Sequence, residues 1–71
     1  MQYTVIVERG TQSWGAYVPD LPGCIAAGDT REEAIRLIRE AIEFHIEGLL
    51  EKGEAVPEPH SFSEQVEINA A

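Results

Sequence analysis

One cysteine, Cys24, stands in a chain of 71 residues, so no intrachain disulfide and no cysteine metal cluster can form. Without a neighbouring histidine or lysine in sequence to lower its pKa, that thiol reads as buried and inert. Histidine is nearly as scarce. His45 and His60 lie far apart and lack the helical histidine pair and intervening acid of a metalloprotease, so no metal site is expected. His45 reads instead as a shoulder residue on the buried side of a helix. Basic residues number 5 against 13 acidic ones, a net charge of −8. Direct nucleic-acid binding needs basic surface to replace phosphate counterions, and this balance argues against it. No apolar run approaches the roughly 18–20 residues that cross a bilayer, and no basic-then-apolar leader opens the chain. A cytoplasmic protein without membrane association is expected. No glycine-rich run leads into Lys-Ser or Lys-Thr, so the glycines form no phosphate loop, and no cofactor is expected.

The chain that remains is a single domain, residues 1–71, near the lower size limit for independent folding. A core this small supplies roughly 3–5 kcal/mol, and with disulfides and metals excluded, self-association is the remaining support. Residues 2–8 alternate as a strand with Tyr3, Val5 and Val7 on one face. A polar hairpin loop over 9–13 leads to a second strand, 14–18, with Trp14, Ala16 and Val18 facing one way. Leu21-Pro22-Gly23-Cys24 fits a type II turn, with proline fixing the second position and glycine taking positive φ at the third. Cys24 to Ala27 is a short, slim third strand.

Thr30-Arg31-Glu32-Glu33 is a capping box that starts a helix, and Gly53 stops it after Lys52. At about 100° per residue, Ile35, Ile38, Ile42, Ile46 and Leu49 share one stripe, which is expected to face the sheet. Ala34, Ala41 and His45 take one shoulder. Leu37 and Phe44 point away, and their alignment marks them as an oligomer contact. After a proline-stiffened connector, Val66 and Ile68 alternate with Glu67 as a short final strand. The expected architecture is α+β: a β-β-β-α-β two-layer domain, an antiparallel sheet with one long helix on one face.

Chemistry is sparse. Glu8, Asp20 and Asp29 form the one carboxylate set that could hold magnesium for phosphodiester cleavage, and such a site needs the acids to converge. Asp20 is better explained by its turn and Asp29 by the helix entrance, and no nucleophile–base pair is present, so no catalytic residue is assigned.

Tyr3 to Glu8, then Tyr17-Val18-Pro19-Asp20-Leu21-Pro22-Gly23-Cys24, then Gly28-Asp29-Thr30-Arg31-Glu32-Glu33-Ala34 resemble the HicB-like antitoxin family. Glu40-Ala41-Ile42, Gly53-Glu54 and Val56-Pro57-Glu58-Pro59 continue the resemblance in order over nearly the whole chain. It implies a degraded RNase-H-like fold without catalytic acids and the role of antitoxin: a non-enzymatic protein that masks the RNA-binding surface of a small basic HicA-like mRNA-cleaving toxin. Many family members add a carboxy-terminal DNA-binding domain. This sequence ends after its expected final strand, so the resemblance is to the short form. Complementary charge suits that role, because an acidic surface speeds encounter with a basic partner. The rigid turn and the helix entrance mark Pro19, Asp20, Leu21 and Asp29 as partner-contact residues. A homodimer or dimer of dimers is expected. The alternative reading is an orphan structural or regulatory oligomer with no toxin.

Overall fold

The computed structural model describes residues 1–70. Strands β1 (Ile6–Arg9), β2 (Trp14–Tyr17) and β3 (Ile25–Gly28) precede one helix, α1 (Arg31–Glu51). The strands form an antiparallel sheet in the order β1-β2-β3, with Val7 opposite Ala16 and Ala16 opposite Ala26. Because side chains alternate across a strand, that row faces the helix and its neighbours face away. Tyr3, Val5, Val7, Trp14 and Ala26 accordingly pack against a buried core of Ala16, Val18, Leu21, Cys24, Ala34 and Ile38. The opposite face carries Ile6, Tyr17 and Ile25 as a second cross-strand row, without a layer over it. Both hairpin faces match the expected alternation, although regular pairing begins only at Ile6.

Local chemistry sets the helix ends. The Glu33 amide donates to Thr30 Oγ1 at 3.0 Å, one half of the capping box. The Glu33 carboxylate accepts from the Asp29 amide at 2.7 Å, one residue ahead of the cap, and so ties the β3–α1 corner to the first turn. At the other end Gly53 takes φ 69°, and the Gly53 and Glu54 amides close onto the Leu50 and Leu49 carbonyls.

The helix sits rotated from its expected phase. Ala34 and Ile38 are its buried residues, whereas Ile35, Ile42, Ile46 and Leu49 are only half-buried. The contact line lies roughly 60° toward the alanine shoulder, taking about 100° per residue. Small residues cause this. A Cβ on Gly28 would lie 2.8 Å from the Ala34 backbone nitrogen and 3.0 Å from Glu33 Cβ, so α1 and the end of β3 meet backbone to backbone. Close approach at Gly28, Ala26 and Ala34 fixes the rotation, and the isoleucines follow it. Gly28→Ala is therefore expected to destabilise by about 1–3 kcal/mol through overpacking. Gly48→Ala, where a Cβ meets nothing, is expected to stabilise by about 0.5–1 kcal/mol through helix propensity. Urea midpoints of the two variants should move in opposite directions.

Beyond the helix the chain is extended but unpaired, and the expected strand at Val66–Ile68 does not form. Residues 57–61 are tied to the start of the chain and to Asp20, and from there residues 62–70 run out fully exposed. A strand needs a partner edge, and this segment reaches none within its own chain.

Candidate partner interface

The turn region between β2 and β3 is two tight turns in succession. The Leu21 amide donates to the Val18 carbonyl at 3.1 Å, and the Cys24 amide to the Leu21 carbonyl at 3.0 Å. Gly23 takes φ 84° at the third position of the second turn, where a side chain would be strained. The two reversals drive Leu21 inward to 0% exposure and turn the Asp20 carboxylate toward the carboxy-terminal segment. Cys24, between them and the helix, is buried, and burial pushes its thiol pKa up.

Asp20 acts as a clasp. Its Oδ2 accepts from the His60 and Ser61 amides, both at 2.8 Å, and its Oδ1 accepts from Ser61 Oγ at 2.6 Å. His60 Nε2 lies 3.1 Å from Oδ1, an ion pair when the ring is protonated. Nearby, Tyr3 Oη donates to the Pro57 carbonyl and Thr4 Oγ1 to the Ser61 carbonyl at 2.8 Å. Burial, with the charges of Glu58 and Asp20, raises the Tyr3 pKa. The Tyr3 and Thr4 bonds join residues more than fifty positions apart and, with the Asp20 bonds, lock the tail across the entry to β1.

The Ser61 hydroxyl, then the Ser61 and His60 amides, hold the Asp20 pKa below its ordinary value of 3.8 against the opposing cost of burial. A depressed carboxylate pKa contributes stability above the unfolded value, and that contribution disappears as pH falls through the folded one. Protection of the His60 and Ser61 amides from exchange is thus expected to persist as pH falls through the range where ordinary aspartates protonate, and to be lost only at more acidic pH. Asp20→Asn places an amide donor against these donors, so protection should be lost already at neutral pH. Amide exchange followed by NMR checks both outcomes.

These contacts redistribute the expected site residues. Asp20 and Leu21 are buried, so their roles are clasp and core plug, and they present no surface to a partner in this conformation. Pro19 and Asp29 are exposed but lie at opposite ends of the sheet, Asp29 beside the β1–β2 loop. Glu8 sits opposite Gly15 on the uncovered sheet face. The three acids do not converge, and among the described residues no three His, Cys, Asp or Glu side chains are grouped to hold a metal ion. Leu37 and Phe44 are separated too: Phe44 is 79% exposed while Leu37 is half-buried, because the helix rotation brings Leu37 toward the sheet.

Phe44 finds a different neighbour. It lines a shallow groove with Ile25, Gly23, Cys24, Glu40, Ala41 and His45, and Ile25 is 71% exposed. An acidic row runs along the exposed side of the helix: Glu43, Glu47 and Glu51 recur every fourth residue, all exposed; Glu40 lines this groove, whereas Glu43 lines the one beside β1. Arg36 pairs with Glu40 at 3.1 Å and approaches Glu33, but the last helical turn contains no basic residue. Like charges at this spacing repel, and carboxylates near a helix carboxy terminus oppose its dipole. The row therefore costs the isolated helix stability. Sequence reading placed the sheet-facing stripe one shoulder away and so did not join Phe44 to Ile25; the Glu spacing itself was visible.

Comparison with known proteins places these features in a family. The sequence model of the HicB-like antitoxin of bacterial toxin–antitoxin systems matches residues 3–70, and the chain belongs to that family. It is 32% identical over 72 residues to Antitoxin HicB 2 of Photorhabdus laumondii, and 41% identical over 66 residues to an uncharacterized 14.9 kDa protein of Haemophilus phage HP1. It spans about half of each: 52% and 50% of their lengths. A UPF0150 protein of Thermoplasma acidophilum is 37% identical and is covered along its full length. The crystal structure of the N-terminal domain of Burkholderia pseudomallei antitoxin HicB superposes with a TM-score of 0.77 at 38% identity, over 87% of this chain and 74% of that one. The three-strand sheet and single long helix are thus the HicB N-terminal-domain fold. Among the described residues no helix is long and apolar enough to cross a membrane.

Proposed function

We propose that this chain is the inhibitory half of a toxin–antitoxin pair, a cytoplasmic, non-enzymatic protein that occupies the RNA-binding surface of a small basic HicA-like ribonuclease. The exposed acidic row Glu43, Glu47, Glu51 on the helix that carries Phe44 supports the reading. Acids set against each other and against the helix dipole lose their penalty when lysines or arginines of a partner arrive. The exposed Phe44, with Glu40 in the same groove, supplies an apolar contact next to charge, as docking patches do. Neutralisation then needs only occupation of the surface RNA would use; no catalytic group and no direct contact with nucleic acid are involved. Pro19 and Asp29 lie outside the patch and take at most a peripheral part.

Self-association as a homodimer, or as a dimer of dimers, belongs to the same reading, because the core is small and much apolar surface is left open. Co-expression with a small basic protein encoded beside this chain, followed by pull-down at low and high salt, tests the proposal. Co-purification that weakens with salt is expected; no complex at low salt overturns it and favours an orphan oligomer.

A further inference from the structure

The helix rotation leaves a second apolar surface, on the flank away from Phe44. Val5 and Val7 of the sheet and Ile35, Ile38 and Ile42 of the helix line a groove of about 660 Å³. It runs along the unpaired edge of β1, the position a fourth strand would occupy to extend the sheet beneath the helix. Arg31 and Arg39 stand at its rim with Glu43, and among the described residues neither arginine forms an ion pair. An open edge strand next to half-buried isoleucines is a template for strand addition.

The tail has the matching chemistry. Phe62, Val66 and Ile68 are 84%, 71% and 75% exposed, and Val66 and Ile68 fall on one side of an extended chain while Glu67 falls on the other. Glu64, on the same side as Val66 and Ile68, complements Arg31 and Arg39 at the groove rim. Within its own chain the tail is clasped at His60 and Ser61 by Asp20 and then leaves the molecule, with the groove still open.

We infer that residues 62–68 of one copy add as a strand to the β1 edge of a second copy, with Val66 and Ile68 seated against Val5, Val7, Ile35 and Ile42. Reciprocal exchange about a two-fold axis fills both grooves and closes the assembly as a dimer. The Asp20 clasp sets where each tail departs and so the register of the exchange. This deepens the self-association reading and is independent of any toxin: Glu43 stands at the rim of this groove, whereas Phe44 and Glu40 line the groove on the other flank of the helix, so the dimer leaves that second groove free.

Val66→Asp with Ile68→Asp tests it, because both residues are exposed in the single chain and their replacement spares the core. Sedimentation is expected to find a dimer for the unaltered chain. In the double variant the dimer dissociation constant should rise at least ~100-fold, as the loss of two buried aliphatic contacts implies, with an unchanged circular dichroism spectrum. Isotope-filtered NOEs on mixed labelled and unlabelled chains should connect Val66 and Ile68 methyls of one copy to Val5, Val7 and Ile42 of the other. A monomeric unaltered chain, a dimer that survives the double substitution, or NOEs confined within one chain each overturn the inference.

Discussion

Leu21→Ala is expected to leave the protein without a cooperative thermal transition. Leu21 is fully buried, held there by the paired turns on either side of it, and the surrounding backbone is bonded too tightly to collapse onto a cavity. Removing a large aliphatic side chain from such a site costs about 2–5 kcal/mol. A core of this size supplies roughly 3–5 kcal/mol in all, so the variant sits at or below the folding threshold. Leu50, which is exposed, provides the contrast: Leu50→Ala should stay within about 0.5 kcal/mol of the parent. Circular dichroism melting of the pair is the check. If Leu21→Ala melts like the parent, the turn is surface architecture and the core lies elsewhere.

The second large effect is a change of sign. Replacing Glu43, Glu47 and Glu51 together by lysine is expected to strengthen the helix and weaken binding to the proposed basic partner at once. Lysines near the carboxy terminus complement the dipole, worth about 0.3–1 kcal/mol per favourable charge. The same substitution turns attraction toward a basic partner into repulsion, and loss of electrostatic steering lowers association rates by roughly 10–1000-fold at low salt. Melting and binding kinetics on one variant therefore move in opposite senses. A stabilised variant that still binds at the parental rate would mean that the row serves solubility alone.

Much of this molecule could be read from its residues, and the exceptions share a cause. Strand faces follow from the alternation Tyr3-Val5-Val7 and Trp14-Ala16-Val18, and the Leu21–Cys24 turn follows from a Pro-Gly pair whose backbone demands are local. The capping residue Thr30 is legible for the same reason. The helix phase was not, since counting large apolar side chains favours the isoleucines, whereas a contact between Gly28 and Ala34 decides it. Those two residues signal nothing until the strand and helix are brought together. The Asp20 clasp was equally hidden, because its partners His60 and Ser61 lie some forty residues away. Asp20 read as a turn residue, which it is, and as a surface contact, which burial denies it. The expected closing strand illustrates the limit from the other side: Val66 and Ile68 carry strand alternation, and the edge that would pair with them is not offered within the chain.

The proposed function uses the acidic side of the helix, and the β2–β3 turn supports it from within. The turn positions Leu21 and Asp20, the tail is held by Asp20, and the helix projects its carboxylates past the short sheet. The account is tested most directly by titrating this protein into an RNA-cleavage reaction run by a small basic HicA-like ribonuclease, the partner proposed for it. Cleavage is expected to fall linearly to zero at the stoichiometric point and to return when Glu43, Glu47 and Glu51 are replaced by lysine. Undiminished cleavage at saturating protein and low salt would contradict the account.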